Sequence, residues 1–410
     1  MGLVLAQQDL LASLGLTDLP LPVANRLMAF ADGASKGGLA RKTIGGLISD
    51  GRLFAAWCQA NGHSWLPAAP DAVSAFVESV AADRKPATVS RYLASIAKWH
   101  EVAGCPSPTS NELVSMARRA HRRARGSRQT QATGLGAQIL APLLQHLCAQ
   151  SDSVDPLHRL AALRDRALIM VAHDSLARAS ELVGMLRADL VVDGDGDGTI
   201  LIRRSKEDQD GEGSRRWLDR MTVAAVREWL QAEEDELGRR AAGEEGRQAA
   251  LQARRFIRKG APQGRRRAPG AAPPAAAVAL EWIPTPYLFR GLSHHYEFAA
   301  ATDAAGQRIK GPMQRALGWS ERLSISSVSR TIKRRLHEIG MPVAGFSAHS
   351  TRVGKAQDLL ADGFDILQVM NAGGWASPQM VARYGENILA ARGAAAADRR
   401  PGVARLTPRF

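Results

Sequence analysis

The sequence predicts a mainly α-helical protein of two domains, with a small antiparallel β-sheet in the second domain. Three observations support this fold class. Apolar residues recur with helical spacing over residues 41–60 and 86–102. A basic run passing into a Gly/Ser/Thr/Gln-rich stretch then separates these helices from the rest of the chain. Beyond it, three short segments alternate apolar and polar residues as the strands of a sheet do.

The first domain is expected to be helical and to span residues 41–125. Residues 1–40 are predicted to be a loosely ordered leader, with one short apolar segment, PVANRLMAFA. The helix over 86–102 has Pro86 near its start, where proline is tolerated. The basic run ARRAHRRARG leads into a predicted linker at 126–134.

The second domain is expected to span residues 135–392, starting with a helix pair over 159–187. The predicted strands are LVVD, GTILIRR and SRRWLD, and the acidic turn DGDGDG joins the first two. That turn resembles the opening of a calcium loop, but Arg204 occupies the position of the bidentate glutamate, so a hairpin turn is favoured. Residues 238–280 are predicted to be a flexible insertion, and 393–410 a tail.

Charge indicates the class of partner. The chain has 54 Lys and Arg against 40 Asp and Glu, a formal net charge of +14. Arginine supplies most of it, and the planar guanidinium fork suits phosphate groups. Nucleic acid is therefore the first partner to consider. One face of the helix over 86–102 carries Thr88, Arg91, Ser95 and Lys98. Polar faces of this kind are usually only exposed to solvent, but the spacing of these residues would also let the face lie along a DNA groove.

Other settings are disfavoured. No window approaches the ~20 apolar residues of a spanning helix, and the N-terminus lacks the basic stretch of a signal peptide. Cys58, Cys105 and Cys148 are far apart and lack CxxC spacing, which disfavours structural zinc and a disulfide framework. A reducing cytoplasm fits this pattern.

If this basic protein cuts DNA, the sequence predicts that it does so without a nucleotide-driven motor and without a metal. The sequence contains no GxxxxGK[ST] loop, no HExxH and no evident acidic cluster of the two-metal kind. Metal-free attack on a phosphodiester needs a nucleophile on the protein, cations for the non-bridging oxygens, and an acid for the departing 5′-oxygen.

Two segments near the C-terminus can supply part of this set. In FSAHSTRVGKAQ, His349 and Arg352 are three residues apart, so both can face one site. Ser347 or Ser350 could cap that helix and direct its N-terminus toward a phosphate. Tyr384 follows on a helix predicted to start with Ser377 as N-cap and Pro378 at the first position.

Each candidate also has a structural explanation. Tyr384 shares a stripe with Met380 and Ile388, which is typical of a core tyrosine. Arg178 precedes Glu181 by one turn in an otherwise apolar segment, where an unpaired buried arginine would be costly. Lys206 lies where a strand passes into a hairpin loop, and most such lysines are simply solvated.

In this order and spacing, the pattern resembles the tyrosine recombinase, or phage integrase, family. The resemblance covers residues 41–392, and the leader, the insertion and the tail depart from it. Its signature is an arginine with a glutamate one turn on, a hairpin lysine, His-x-x-Arg, a Gly-Gly-His/Trp turn and a tyrosine. The matching residues are Arg178, Glu181, Lys206, His349, Arg352, Trp375 and Tyr384.

The resemblance implies a role for each residue. Tyr384 would attack the scissile phosphate and form a 3′-phosphotyrosyl link. The two arginines would hold the non-bridging oxygens, and Lys206 would protonate the 5′-oxygen. His349 would assist proton transfer or hold the phosphate. Trp375, where many members have His, would donate its indole N–H to the phosphate, while Glu181 would orient neighbouring side chains.

The resemblance also implies a setting: a two-domain C-shaped clamp around duplex DNA, with no cofactor. Four protomers would act on two sites with inverted repeats, in the cytoplasm of a bacterium and encoded by bacterium, phage or plasmid. Two alternatives stay open. One is a topoisomerase-like or telomere-resolving enzyme using the same chemistry on one duplex. The other is a DNA-binding regulator that retains the fold without catalysis.

Overall fold

The computed structural model describes residues 21–128, 130–208, 210–244, 286–290 and 323–392. The chain divides into two compact units, Met1–Thr130 and Gln131–Phe410. The point of division lies inside the stretch predicted to be a linker from its composition. Each unit has its own apolar core.

In the part that the structure describes, every regular element of the first unit is a helix. Prolines occupy the first turns of two of its helices, where a missing backbone N–H costs nothing. The helices predicted over 41–60 and 86–102 are confirmed, the second ending one residue later than expected. The α-helices are α1 (Leu21–Gly33), α2 (Arg41–Ala60), α3 (Pro70–Ala81), α4 (Pro86–Ala103) and α5 (Glu112–Arg125), with a π-helical turn at Ala34–Gly38 and a 3₁₀ turn at Pro108–Ser110.

The expectation of a loosely ordered leader is wrong for residues 21–38. The apolar segment PVANRLMAFA lies in α1, and Leu27 from this helix is buried against Trp99 and Ala103 of α4. The ring of Phe30 meets that of Trp99 edge-on at 6.3 Å. Burial of these side chains stabilises a helix that its own sequence would support only weakly. Residues 1–20 lie outside the described part of the chain.

The second unit combines helices with one small sheet. Its helices before the sheet are α6 (Ala137–Ser151), α7 (Pro156–Asp174) and α8 (Ala179–Leu182), with a 3₁₀ turn at Arg187–Asp189. After the sheet come α9 (Arg220–Glu244), α10 (Ile325–Glu338), α11 (Ser350–Ala361), α12 (Ile366–Gly373), α13 (Pro378–Tyr384) and α14 (Glu386–Arg392). The predicted insertion begins inside α9, which runs on to Glu244; residues 245–280 and the predicted tail lie outside the described residues.

The three predicted strands are confirmed. They are β1 (Leu190–Val192), β2 (Gly198–Ile202) and β3 (Ser214–Leu218), and they form an antiparallel sheet in the order β1-β2-β3. DGDGDG makes the hairpin turn between the first two strands, in which the Asp193 N–H donates to the Asp197 carbonyl at 2.9 Å. Along β3 exposure alternates, so the side chains of Arg215 and Trp217 face solvent.

A fully buried carboxylate ties α7 to α10. Asp165 is 0% exposed and accepts hydrogen bonds from the Arg164 guanidinium, from Arg334 at 2.6 Å and from Arg335 at 2.8 Å. Burial alone would raise the pKa of Asp165, but the three arginines hold that pKa below its ordinary value. Among the described residues, no helix is both long and apolar enough to cross a membrane.

Asp165→Asn should lower the free energy of unfolding by about 3–5 kcal/mol, because it leaves buried cations uncompensated. Arg334→Ala is the control, since this arginine is 43% exposed and its loss should cost less than about 1 kcal/mol. Urea unfolding near neutral pH measures both. The carboxylate's contribution is complete above the ordinary pKa of 3.8 and is lost as the pH falls through the lower folded value. A wild-type advantage over Asp165→Asn that grew on acidification would contradict this account.

Candidate active site

Tyr384 lies at the end of α13 with its ring in an apolar core and its hydroxyl in a polar site. The helix begins as predicted, with the Ser377 hydroxyl accepting from the Gln379 N–H at 3.3 Å and Pro378 in the first position. The ring packs with Val353 and Val381, and Tyr384 is 6% exposed. Both explanations that the sequence leaves open therefore describe one side chain: the ring belongs to the core, and the hydroxyl is available for chemistry.

The hydroxyl of Tyr384 shares a hydrogen bond with Nε2 of His349, at 2.8 Å. His349 is the N-cap residue of α11, so neither predicted serine holds that position. The serines bond to the preceding turn instead: Ser347 Oγ accepts from the His349 N–H at 3.1 Å, and Ser350 Oγ from the Ser347 N–H at 2.9 Å. These two bonds fix the backbone from which the imidazole projects.

Arg352 is the most deeply buried cation of the site, at 1% exposure. Its Nη1 donates to the carbonyl of Leu176, and its guanidinium carbon lies 3.8 Å from the centre of the Trp375 ring, a cation–π contact. Its Nε and Nη2 are buried and find no hydrogen-bond partner in the part of the chain that the structure describes. Two buried, charged donors are thus left without a hydrogen-bond partner among the described residues.

A strained backbone position supplies the carbonyl that Arg352 contacts. Leu176 has φ 49°, a left-handed conformation that is uncommon for a residue other than glycine. The preceding Ser175 is buried, with its hydroxyl donating to the Val171 carbonyl and accepting from the Ala177 N–H at 3.3 Å. This local network holds the turn between α7 and α8, and the strain lies at the candidate site, where such strain is often found.

Arg178 follows this turn and is held by two carboxylates. Glu181 accepts from the Arg178 side chain at 2.7 Å and from its backbone N–H at 2.9 Å, while Glu207 accepts from Nη2 at 2.6 Å. Glu181 is buried, and the Arg178 side chain is 21% exposed. Lys206 is exposed in the loop between β2 and β3. The hydrogen bond that its neighbour Glu207 accepts from Arg178 fixes part of that loop beside the site.

The Gly-Gly-Trp turn fits closely around three side chains. A Cβ on Gly373 would lie 2.0 Å from the Trp375 ring, and one on Gly374 would lie 1.9 Å from Nη2 of Arg216. Gly374 has φ +60°, a conformation that glycine adopts without strain. The Trp375 ring also lies 5.8 Å from the Tyr384 ring. Trp375 is thereby packed between Gly373, Arg352 and Tyr384.

Burial and charge set the protonation states. Burial lowers the pKa of His349, and Arg352 and Arg178 lower it further, so the imidazole is neutral near pH 7. Burial raises the pKa of Tyr384 against the opposing effect of Arg352, so the phenol is protonated at rest. Burial also lowers the pKa of Arg352 to about 10, where it remains charged. A neutral imidazole bonded to a protonated phenol can accept its proton.

Known proteins resemble this chain in sequence and in fold. No family model matches it. An integrase/recombinase XerD homologue of Selenomonas ruminantium is 30% identical over 200 residues, covering 47% of this chain and 56% of that protein. The chain thus spans little more than half the length of this relative. The Recombinase Cre of Escherichia phage P1 is 24% identical over 352 residues, 85% of this chain and 84% of that protein.

The fold comparison agrees. The crystal structure of the XerH site-specific recombinase, in a post-cleavage complex with the palindromic difH substrate, superposes with a TM-score of 0.51 at 13% identity, covering 92% of this chain and 87% of that one. The chain has the tyrosine recombinase fold. The resemblance predicted from the motifs, which includes a likeness to Cre in AHSTRVGKAQDLLADGFDILQVMNAGGW, is confirmed.

The tyrosine recombinase motif is largely assembled in space. Hydrogen bonds and ring contacts join His349, Arg352, Trp375 and Tyr384, and Arg178 lies close enough to lower the pKa of His349. Sequence reasoning missed Arg216 and Glu207. The signal for Arg216 was its position on β3, two residues from buried Leu218 and therefore on the same face of the sheet.

The four predicted DNA-reading residues are not alike in the structure. Ser95 is 5% exposed and donates to the buried carboxylate of Asp50 at 2.8 Å. The prediction that it lies on the exposed face of the helix is therefore wrong. Arg91 also contacts Asp50, with its side chain 52% exposed. Thr88 is half-buried, and Lys98 contacts Glu101 at 2.8 Å. Asp50 ties α2 to α4 through these contacts.

A glycine allows α11 to carry His349 and Arg352 into place. Gly354 lies so close to the chain before α6 that a Cβ would meet the Leu135 carbonyl carbon and oxygen at 2.2 Å. In the same contact the Leu135 N–H donates to the Ser350 carbonyl at 2.8 Å. Backbone forms the obstacle, so a larger residue cannot be accommodated by rotating a side chain.

Gly354→Ala should therefore destabilise the protein by about 1–3 kcal/mol, the usual cost of overpacking. The matched control is Gly45→Ala, also inside a helix but with nothing within 4 Å of the added Cβ. That change should stabilise by about 0.5–1 kcal/mol through helix propensity. Circular dichroism on heating compares the two with wild type. An unchanged or raised unfolding temperature in Gly354→Ala would show that the two segments are not in contact.

Proposed function

We propose that the protein is a site-specific DNA recombinase, which cleaves and rejoins strands through a 3′-phosphotyrosyl intermediate without metal or ATP. The observation that carries this proposal is the hydrogen bond between the Tyr384 hydroxyl and a neutral His349, beside a buried arginine, Arg352, with two donors that have no partner among the described residues. Among the described residues, no group of three His, Cys, Asp or Glu side chains could hold a metal ion. The proposed chemistry uses side chains alone.

In the cleavage step, His349 accepts the proton of Tyr384 as the phenolic oxygen attacks phosphorus. The new bond joins phosphorus to the tyrosine oxygen, and the bond to the 5′-oxygen breaks. Lys206 donates a proton to that oxygen, which leaves as a free 5′-hydroxyl. Rejoining is the same step in reverse, with a 5′-hydroxyl as the nucleophile. Because the number of phosphoester bonds is unchanged, the exchange needs no nucleotide.

Cations and donors that are in position beforehand stabilise the charge of the transition state. Arg352 uses its open Nε and Nη2 on the non-bridging oxygens, and Arg178 approaches from the turn before α8. Glu181 keeps Arg178 oriented through its two bonds to that residue. Trp375 donates its indole N–H to a phosphate oxygen, and its packing against Gly373 holds it for that task.

The proposed substrate is duplex DNA with inverted-repeat sites, bound by four protomers on two sites. The net charge of +14 supports a DNA substrate, and the palindromic DNA of the XerH complex supports inverted repeats. Thr88, Arg91 and Lys98 are the proposed reading residues of the helical unit. In α5, five exposed arginines offer contacts to the DNA backbone: Arg118, Arg119, Arg122, Arg123 and Arg125. The cytoplasm is the proposed compartment.

The proposal is tested by covalent trapping in EDTA. Purified protein is mixed with duplexes from the DNA flanking its gene, each nicked so that a cleaved end cannot be rejoined. Wild type should form an SDS-resistant protein–DNA adduct, and Tyr384→Phe should form none while binding with unchanged affinity, because only the nucleophilic oxygen is lost. Tyr287→Phe, in the same unit, should form the adduct as wild type does. An adduct in Tyr384→Phe would disprove the nucleophile, and tight binding without an adduct in wild type would favour a regulator.

The acid is tested with DNA whose scissile 5′-oxygen is replaced by sulfur. A thiolate leaves without a proton, so this substrate should restore cleavage to Lys206→Ala, which should be slowed by about 10²–10⁴ on normal DNA. Tyr384→Phe is the control, because no leaving group can replace the nucleophile. Rates come from the time course of the adduct in denaturing gels. If Lys206→Ala stays equally slow on both substrates, another group donates the proton.

A further inference from the structure

Arg216 is a cationic neighbour of the site that none of the motifs includes. It lies on β3, where its backbone pairs with Ile200 of β2. Ile200 and Leu218 are both fully buried, whereas Arg215 next to it is exposed and contacts Thr199 on the outer face at 3.3 Å. Strand alternation therefore turns the Arg216 side chain inward, toward the turn that carries Trp375.

The guanidinium of Arg216 is seated against that turn. Its Nη2 fills the space that a Cβ on Gly374 would occupy, at 1.9 Å from that position. Its Nη1 donates to the carbonyl of Arg215 at 3.2 Å, and its Nε is buried without a hydrogen-bond partner in the described chain. One charged donor is thus left open on the side chain.

The ring of Trp375, next in the chain to Gly374, lies 3.8 Å from the guanidinium carbon of Arg352, so the contact with Gly374 places a second guanidinium near it, that of Arg216. Burial lowers its pKa, Glu181 opposes that shift, and Arg178 adds to it. The charge of Arg216 in turn contributes to the lowered pKa of Arg352. Three guanidinium groups therefore share one region in which Glu181 is buried.

Like charges at close range repel, and a buried charge without a partner is costly. The cluster keeps three buried donors without partners: Nε and Nη2 of Arg352, and Nε of Arg216. Such an arrangement is stabilised by an anion that reaches all of its members. A phosphate diester has the charge and the acceptor oxygens to do so.

We propose that Arg216 is a third arginine of the phosphate site, which shares the charge of the substrate phosphate with Arg178 and Arg352. The inference rests on the proposed function, because it deepens the account of how that site holds DNA. The competing explanation is that Arg216 only supports the Gly374 turn by packing. The charge of the side chain distinguishes the two explanations. Packing against the Gly374 turn requires only a side chain of similar size, whereas binding of an anion requires a positive charge.

The test is a titration with inorganic phosphate at constant ionic strength, following the rise in unfolding temperature that binding produces. Arg216→Gln should weaken phosphate binding about tenfold, the usual effect of one charged hydrogen bond. Arg216→Lys should recover most of it. Arg215→Gln is the matched control, because it removes an equal charge from the adjacent residue on the opposite face, and it should bind as wild type does. Arg352→Gln should lose the binding.

Equal phosphate affinity in Arg216→Gln and Arg215→Gln would overturn the inference, and so would the absence of any phosphate effect in wild type. A lower unfolding temperature in Arg216→Gln without phosphate, with no recovery of binding in Arg216→Lys, would identify a support. The titration involves no DNA cleavage, so its result is separate from the trapping assay. If the protein forms no adduct but binds phosphate in a way that depends on Arg216, the recombinase proposal is disproved and the proposed anion site is retained.

Discussion

The burial of Arg352 is the constraint on which the rest of the site depends. A guanidinium at 1% exposure loses its hydration, and it keeps its charge only because its neighbours are arranged to compensate. The Leu176 carbonyl accepts a hydrogen bond from Arg352, and Leu176 adopts a left-handed backbone conformation there. The Trp375 ring covers the face of the Arg352 guanidinium. The compensation is incomplete, since Nε and Nη2 have no partner among the described residues. A site arranged around one under-satisfied cation is prepared to receive an anion.

The same constraint explains how one tyrosine serves a core and a reaction. Apolar packing of its ring with Val353 and Val381 fixes the position of Tyr384, and Arg352 comes from the same helix as Val353. Stability and reactivity are therefore coupled at short range. The hydroxyl is the one part of this side chain that must leave the apolar environment, and His349 is the group that receives it.

Local pattern in the sequence was sufficient for most of the fold. Helical stripes located α2 and α4, alternation located the strands, and Ser377 with Pro378 located the start of α13, because each signal depends on residues close in the chain. Long-range packing decided the failures. Helix α1 is stabilised by Leu27 against Trp99, and Ser95 is turned inward by Asp50, forty-five residues earlier. Arg216 required the strand register and the course of a distant turn together, which no single segment contains.

The register of β3 has a consequence for how sequences in this loop can change. Arg216 meets the Gly374 turn only while Ile200 stays opposite it. A change in the length of the loop between β2 and β3 leaves this strand pairing unchanged if it is absorbed within the loop itself. A slip of the strand by one residue would instead turn the side chain of Arg215 or Trp217 toward the Gly374 turn, where Arg216 now fits closely. Insertions before Ser214 are therefore expected to be tolerated only where they keep the register in which Arg216 pairs with Ile200.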